Sequence, residues 1–285
     1  MKLVTFNVNG IRAADRRGFR FWLEATQPDV LALQEVRCPV EALPEGIFDG
    51  YHLVYDPGQL AGRNGVALLS RTPPINTRIG LTADSEFAHE GRYIEADYEI
   101  GGMALTVASL YLPKGAVPED RLGSKASEPA AGASKYERKM RFCDTLAAHL
   151  VDGLARAQGA ERAYTILGDY NIARTPLDLA NNKSRVPLDG YLPEERDWLT
   201  KTLEIGLVDV VRQLHGEVPG PYSWWSWRAG SWDRGTGWRI DYHLSSPDLA
   251  ARATWGDTDK AKTYESRISD HAPVIVEYQT PGEAQ

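Results

Sequence analysis

Residues 93–112 read "YIEADYEIGGMALTVASLYL". Two runs of apolar, β-branched and aromatic residues flank Gly101-Gly102. Paired glycines adopt positive φ at no steric cost, so the stretch predicts a β-hairpin. Working outward, runs of the same kind recur at 3–8, 29–36, 51–55, 65–70, 163–171, 240–246 and 273–278. Each is bounded by Gly, Pro, Asn or Asp and reads as a strand. Helical patterns lie between some of them, at 18–26, 134–157 and 192–206. In the second, Ser134 and Glu137 have capping-box spacing, and Met140, Cys143, Ala147, Leu150 and Leu154 keep a three-to-four-residue period. In the third, Pro193 suits a first helical position and Gly206 lies past the end. Hairpins and crossover helices over the whole length, with no repeat or linker, predict one α/β domain, 1–285, with more than one sheet. Residues 115–134 are poor in bulky apolars and exceed a usual connection, so they read as a flexible or functional loop. Residues 280–285 read as a short tail.

The 285-residue chain can bury a large core. It has no apolar run near the roughly 18 residues of a membrane span and no secretory leader pattern, so a cytoplasmic protein is expected. Cys38 and Cys143 are the only cysteines and read as free thiols. The net charge of −7 argues against coating nucleic acid by bulk charge. It leaves room for local basic faces: Arg12, Arg16, Arg17 and Arg20, or Lys135, Arg138, Lys139 and Arg141. The simpler reading of each cluster is a solvated helix face.

Polar residues recur at strand ends. Asn7 and Asn9 close the first strand, Glu35 the second. Tyr111 closes "ASLYLP", and Asp169 and Asn171 close "TILGDYN". Asp241 sits in "GWRIDYHLSS", and Asp270-His271 precede the last strand. A core strand gains nothing from an acid there, because a buried unpaired charge is costly. Six such ends suggest convergence on one rim, where open α/β architectures build their sites. No G-x-S-x-G, P-loop, G-x-G-x-x-G or H-E-x-x-H motif is present. Oxygen donors, amides, a phenol and a histidine suit Mg²⁺ or Mn²⁺ better than zinc. Together they make a kit for phosphodiester hydrolysis.

The motifs "TFNVNGIRA", "LQEVRC", "GVALLSR", "EGRYIEADY", "SLYLPKG", "GDYNIA", "LPEERDWL", "GLVDVVR", "YSWWSWR", "GWRIDY" and "SDHAPV" follow in this order from residue 4 to about 276. In that order and spacing the chain resembles bacterial exonuclease III and the related AP endonucleases of the endonuclease/exonuclease/phosphatase superfamily. The resemblance implies a four-layer α/β sandwich: two mixed β-sheets face to face, with helices on the outer faces. It implies a metal-dependent DNA-repair nuclease that cleaves 5′ to abasic sites in duplex DNA, leaves a 3′-hydroxyl, and trims or cleans 3′ ends at the same centre. It further implies Glu35 as principal metal ligand, with Asn7, Asn9, Asp169 and Asp270 near the metal. Tyr111 would touch the scissile phosphate, Asp169 would activate the attacking water, and Asn171 would bind phosphate. His271, oriented by Asp241, would contact the phosphate; either Asp169 or His271 could be the base. Trp224, Trp238 and Ile240 would line the abasic pocket, and Arg92, Asn181 and Lys183 would contact substrate. The resemblance also implies a monomer associated with the nucleoid.

The chain departs from its relatives at 181–190, "NNKSRVPLDG", with Arg185 and Leu188 where relatives often carry asparagine. His243 shares a strand face with Asp241 and reads as structural, or as a competitor for Asp241. The alternatives are a phosphatase or phosphodiesterase for small substrates, or an inactive DNA-binding relative. The first should lack the Trp-rich wall; the second should lose Glu35, Asp169, Asn171 or His271.

Overall fold

The computed structural model describes residues 1–60, 62–81, 86–121, 129–180, 187–227 and 230–283. The chain begins with β1 (Lys2–Asn7), α1 (Ile11–Arg16), α2 (Phe19–Thr26) and β2 (Val30–Gln34). Then come β3 (His52–Asp56), β4 (Val66–Ser70), β5 (Asn76–Ile79), β6 (Tyr93–Ile100) and β7 (Met103–Tyr111). The long α3 (Pro129–Gly159) leads to β8 (Ala163–Asp169). It is followed by α4 (Pro193–Glu204), β9 (Val208–Asp209), α5 (Val210–His215), β10 (Asp241–Ser245), α6 (Pro247–Ala250), β11 (Ala253–Thr258) and β12 (Val274–Tyr278).

The expected hairpin forms. β6 and β7 pair antiparallel from Tyr93↔Leu110 to Ile100↔Met103. Gly101 and Gly102, at φ 58° and 76°, make the turn that side chains would resist. The strands form two six-stranded sheets, in the orders β11-β12-β1-β2-β4-β3 and β5-β6-β7-β8-β10-β9. Each holds one parallel pair, β1–β2 in the first and β7–β8 in the second. Parallel neighbours need a crossover, which α1–α2 and α3 supply. The sheets face each other across a core that includes Leu3, Val30, Ala32 and Leu68 of one and Ala96, Leu105, Val107 and Leu167 of the other. Outside, Ile11, Phe19 and Leu23 of α1 and α2 cover the first sheet. Phe142, Leu146 and Leu150 of α3, with Trp198 and Leu199 of α4, cover the second. This is the four-layer sandwich the resemblance implied.

Several local readings change. β5, β9 and β11 lack a strong strand pattern because they are short or lie at sheet edges, where half the surface is solvated. α1 is a six-residue helix too brief to show a period. Ser134 does not cap α3, which begins at Pro129. The alanine-rich "PAAGA" stretch, with proline at the first position, favours an earlier start. Residues 129–134 of the 115–134 stretch are therefore helix, and residues 122–128 lie outside the described residues. The buried stripe of α3 centres on Phe142 and Leu146, one position off the Ala147 side. α4 starts at Pro193 as expected, and Glu195 accepts the backbone N–H of Leu192 at 2.8 Å. Cys38 and Cys143 are buried and free. No described helix is long and apolar enough to cross a membrane.

Candidate active site

The carboxyl ends of both parallel pairs meet at one edge of the sandwich. From the first sheet come Asn7 at the end of β1 and Glu35 just after β2. From the second come Tyr111 at the end of β7 and Asp169 at the end of β8. Asn7 and Asp169 are 162 residues apart, yet Asn7 Nδ2 donates to Asp169 Oδ2 and to Glu35 Oε1, both at 2.9 Å. Asn7 is fully buried, so it orients the two carboxylates from beneath. Asn9, Glu35 and Asn171 each sit just past a strand end at φ 46°, 51° and 49°. Left-handed backbone is uncommon outside glycine and concentrates at functional sites. Here it turns three polar side chains back over the strand ends. Gly168 permits the second parallel pair: a Cβ there would lie 2.0 Å from the Leu110 carbonyl oxygen.

These groups open on a cleft of about 370 Å³. Glu35, Asp270 and His271 line its polar side; Trp224, Trp238 and Ile240 form its apolar wall. Asp169 and Asp241 lie just beneath, 1 and 2 % exposed. His271 Nδ1 is 2.9 Å from Asp241 Oδ2, and its Nε2 is 3.8 Å from Asp169 Oδ2. Ser223 Oγ also donates to Asp241 Oδ2, at 2.6 Å. Asp270, the nearer acid in sequence, does not face the imidazole: it accepts from Asn9 Nδ2 at 2.8 Å and Trp224 Nε1 at 3.1 Å. The neighbours Asp270 and His271 thus turn to different partners.

Burial disfavours the imidazolium of His271, but the charge and hydrogen bond of Asp241, with Asp169 and Asp270, outweigh it and raise its pKa. Burial, then Asp241 and Glu35, raise the Asp169 carboxyl above the usual range against the opposing pull of His271. Burial beside Glu35 and Asp169 keeps the Tyr111 phenol protonated. Asp169 is held from several sides: Asn171 N–H donates to Oδ1 at 2.8 Å and Asn171 Nδ2 to Oδ2 at 3.3 Å. The Asn171 carbonyl accepts in turn from Lys139 Nζ at 3.0 Å. That buried amine also pairs with Glu195 Oε1 at 2.6 Å, which explains the "LPEERDWL" motif.

A divalent ion fits these donors. They are hard oxygens: the buried Asp241 Oδ1 accepts no hydrogen bond, and Glu35 Oε2 meets only the Arg37 guanidinium, as an ion pair. Ligand atoms of Asp169, Asp241 and His271 also lie within 4.8 Å of one another, although His271 Nδ1 is already engaged by Asp241.

Some expected contacts differ. Arg92 does not line the cleft. Its Nε donates to Glu90 and its Nη1 to the Tyr111 carbonyl, and its guanidinium lies 4.8 Å over the Tyr111 ring. A guanidinium bonded on both sides braces the phenol from behind. His243 does not compete for Asp241; its Nε2 is 3.0 Å from the Val274 carbonyl of the opposite sheet. The second basic cluster is largely spent on ion pairs, Arg138 with Glu90, Arg141 with Glu86 and Lys139 with Glu195. Asn181, Lys183 and Arg185 lie outside the described residues. Leu188, Asp189, Gly190, Lys114 and Arg37 line the cleft, and sequence reasoning missed them as site residues. For Leu188–Gly190 the only signal was the unusual 181–190 segment. Of the five clustered tryptophans, Trp224 and Trp238 face the cleft edge to face, while Trp225 and Trp232 are buried against each other.

Residues 4–271 match the Endonuclease/Exonuclease/phosphatase family. Exodeoxyribonuclease III of Haemophilus influenzae is 34 % identical over 289 residues, 98 % of this chain and 100 % of that protein. Among solved structures, an AP endonuclease from Archaeoglobus fulgidus superposes with a TM-score of 0.79 at 31 % identity, covering 98 % of this chain and 100 % of that one. The 3′ phosphatase NExo from Neisseria, bound to a product DNA hairpin, gives 0.81 at 28 % identity, covering 98 and 99 %.

Proposed function

Because the chain belongs to the endonuclease/exonuclease/phosphatase family and is a nuclease of the exodeoxyribonuclease III type, we propose that its cleft cleaves duplex DNA on the 5′ side of abasic sites. The product carries a 3′-hydroxyl, and the same centre trims and cleans 3′ ends. The observation that carries this reading is that one cleft brings two kinds of lining together: Glu35, Asp270 and His271, and beside them Trp224, Trp238 and Ile240. The first set handles a phosphate. The second offers an apolar niche sized by aromatic rings, which a base-less sugar could enter and a paired nucleotide could not.

Family members depend on a divalent metal, and we infer Mg²⁺ or Mn²⁺ held by Glu35 with Asn9 and Asp270 nearby. When bound, the ion supplies charge neutralisation at the phosphate oxygens. This chain's own residues do the rest. Asp169 accepts the proton of the attacking water, since a buried carboxylate with a raised pKa is a stronger base than an ordinary one. His271 already carries its proton, so it donates to a phosphate oxygen instead, with Asp241 fixing its ring. The Tyr111 phenol completes the donors around the phosphate, while the Asn171 amide, engaged by the Leu112 carbonyl and Asp169 Oδ2, holds the base in place. The 3′ phosphatase among the structural neighbours supports 3′-end cleaning as a second activity of the same centre.

The test is one gel. A duplex with a single abasic analogue is run beside an intact duplex with a recessed 3′ end, each with Mg²⁺, Mn²⁺ or EDTA. Cleavage 5′ to the analogue, lost in EDTA, is expected; cleavage only at the recessed end would overturn the abasic-site reading. Asp169→Asn should leave DNA binding nearly intact while cleavage falls by roughly 10²–10⁴-fold. Collapse of binding instead would make Asp169 structural.

A further inference from the structure

We propose that Arg37 is the built-in counter-cation of the metal site and must leave Glu35 before a divalent ion can bind, so that this one side chain sets the protein's metal affinity. The inference rests on the metal-dependent reading above. Glu35 is buried, and its Oε1 is committed to Asn7 at 2.9 Å. Its Oε2 accepts no hydrogen bond, but the Arg37 guanidinium lies against it as an ion pair. The other end of the same guanidinium, Nη1, donates to Asn9 Oδ1 at 2.7 Å. Asn9 Nδ2 in turn donates to Asp270 Oδ1 at 2.8 Å. One organic cation therefore ties the carboxylate after β2 to the amide after β1, and through it to the carboxylate ahead of β12. Those oxygens are the ones assigned to the ion, so guanidinium and metal contend for the same negative charge.

The contact is built into the local backbone. Glu35 and Arg37 both sit at φ 51°, with Val36 buried between them. This turn folds the arginine back over the carboxylate two residues before it. A planar fork can hold both partners at once, which a lysine ammonium could do only as a point charge. The Arg37 side chain is 40 % exposed and lines the cleft, so it has room to move aside without disturbing the core.

The test is Mn²⁺ binding to the full chain without DNA, followed by calorimetry and by loss of the free-ion paramagnetic signal. Wild type is compared with Arg37→Gln, Arg37→Lys and a remote charge control, Arg252→Gln. Removing an ion pair of this exposure should tighten Mn²⁺ binding roughly fivefold in Arg37→Gln. Arg37→Lys should fall between, and the control should match wild type. Equal or weaker binding by Arg37→Gln overturns the proposal, as does equal tightening in the control. Unchanged affinity with cleavage still lost in EDTA sinks the role of Arg37 alone. No Mn²⁺ binding by either protein, with cleavage surviving EDTA, removes the metal reading as well.

Discussion

At the residue scale, the chemistry depends on charges that burial makes expensive and neighbours make tolerable. His271 is the clearest case. Burial alone would strip its proton, and Asp241 reverses that. Removing the Asp241 charge leaves burial less opposed, so the imidazolium should lose its proton at lower pH. Asp241→Asn is therefore expected to move the alkaline limb of the kcat profile down by roughly 1–3 pH units, the usual effect of one opposite charge. A limb that stays in place would mean that protonated His271 is not the working form. His243 shows the opposite balance. Fully buried and bonded only to the Val274 carbonyl, it is pushed down from 6.5 to about 4. Between those values the unfolded chain takes up a proton that the folded chain refuses, so stability rises with pH across the window. Urea melts should show roughly 3 kcal/mol lost as pH falls from 7 toward 4 through this group. His243→Gln, which keeps a donor for Val274, should flatten that acid limb; an unchanged limb would assign it to other groups.

At the element scale, helices outside the sandwich reach into the site through buried ion pairs. Lys139 of α3 and Glu195 of α4 are both fully buried and pair with each other, and Lys139 also donates to the Asn171 carbonyl. Losing one partner strands the other charge in the core. Lys139→Met should destabilise by about 3–5 kcal/mol in denaturant melts, and Glu195→Gln added to it should recover most of that loss. If the double variant were no more stable than the single one, the pair would not be the reason. A second network joins Arg239 to Asp178 and Asp209, with Arg212 also on Asp178, all buried. It pins the start of β10 to α5, and so holds Trp238, Ile240 and Asp241 on either side of Arg239 in place. The "GLVDVVR" motif owes both its charges to this network, and "GWRIDY" owes it Arg239. Their roles could not be read from the sequence, since a buried Arg–Asp pair and a solvated one look alike there.

At the scale of the whole molecule, a chain of net charge −7 must bind a polyanion through a local face. Arg12, Arg16 and Arg17 are exposed, and Arg17 lies 5.0 Å over the Trp227 ring, which also packs against Arg267. If this face meets phosphates, log affinity for duplex DNA should fall linearly with log salt. Arg17→Ala should then lower the slope by about one. A flat salt profile would remove this face from DNA binding.

The strand runs, the Gly101-Gly102 hairpin and the α/β class were determined by the sequence itself. Alternation, turn residues and helical period are local properties that survive without the fold. The polar strand ends were legible for the same reason, as acids and amides standing where core strands carry none. Only the tertiary structure decided which of them meet. Asn7 reaches Asp169 across two sheets, Asp241 takes His271, and Asp270 turns to Asn9 and Trp224 instead. It also moved Arg92 behind Tyr111, buried Lys139, and brought Arg37, Leu188 and Asp189 to the cleft. A side chain's partner depends on long-range register and on left-handed turns such as those at Asn9, Glu35 and Asn171, which no local period encodes.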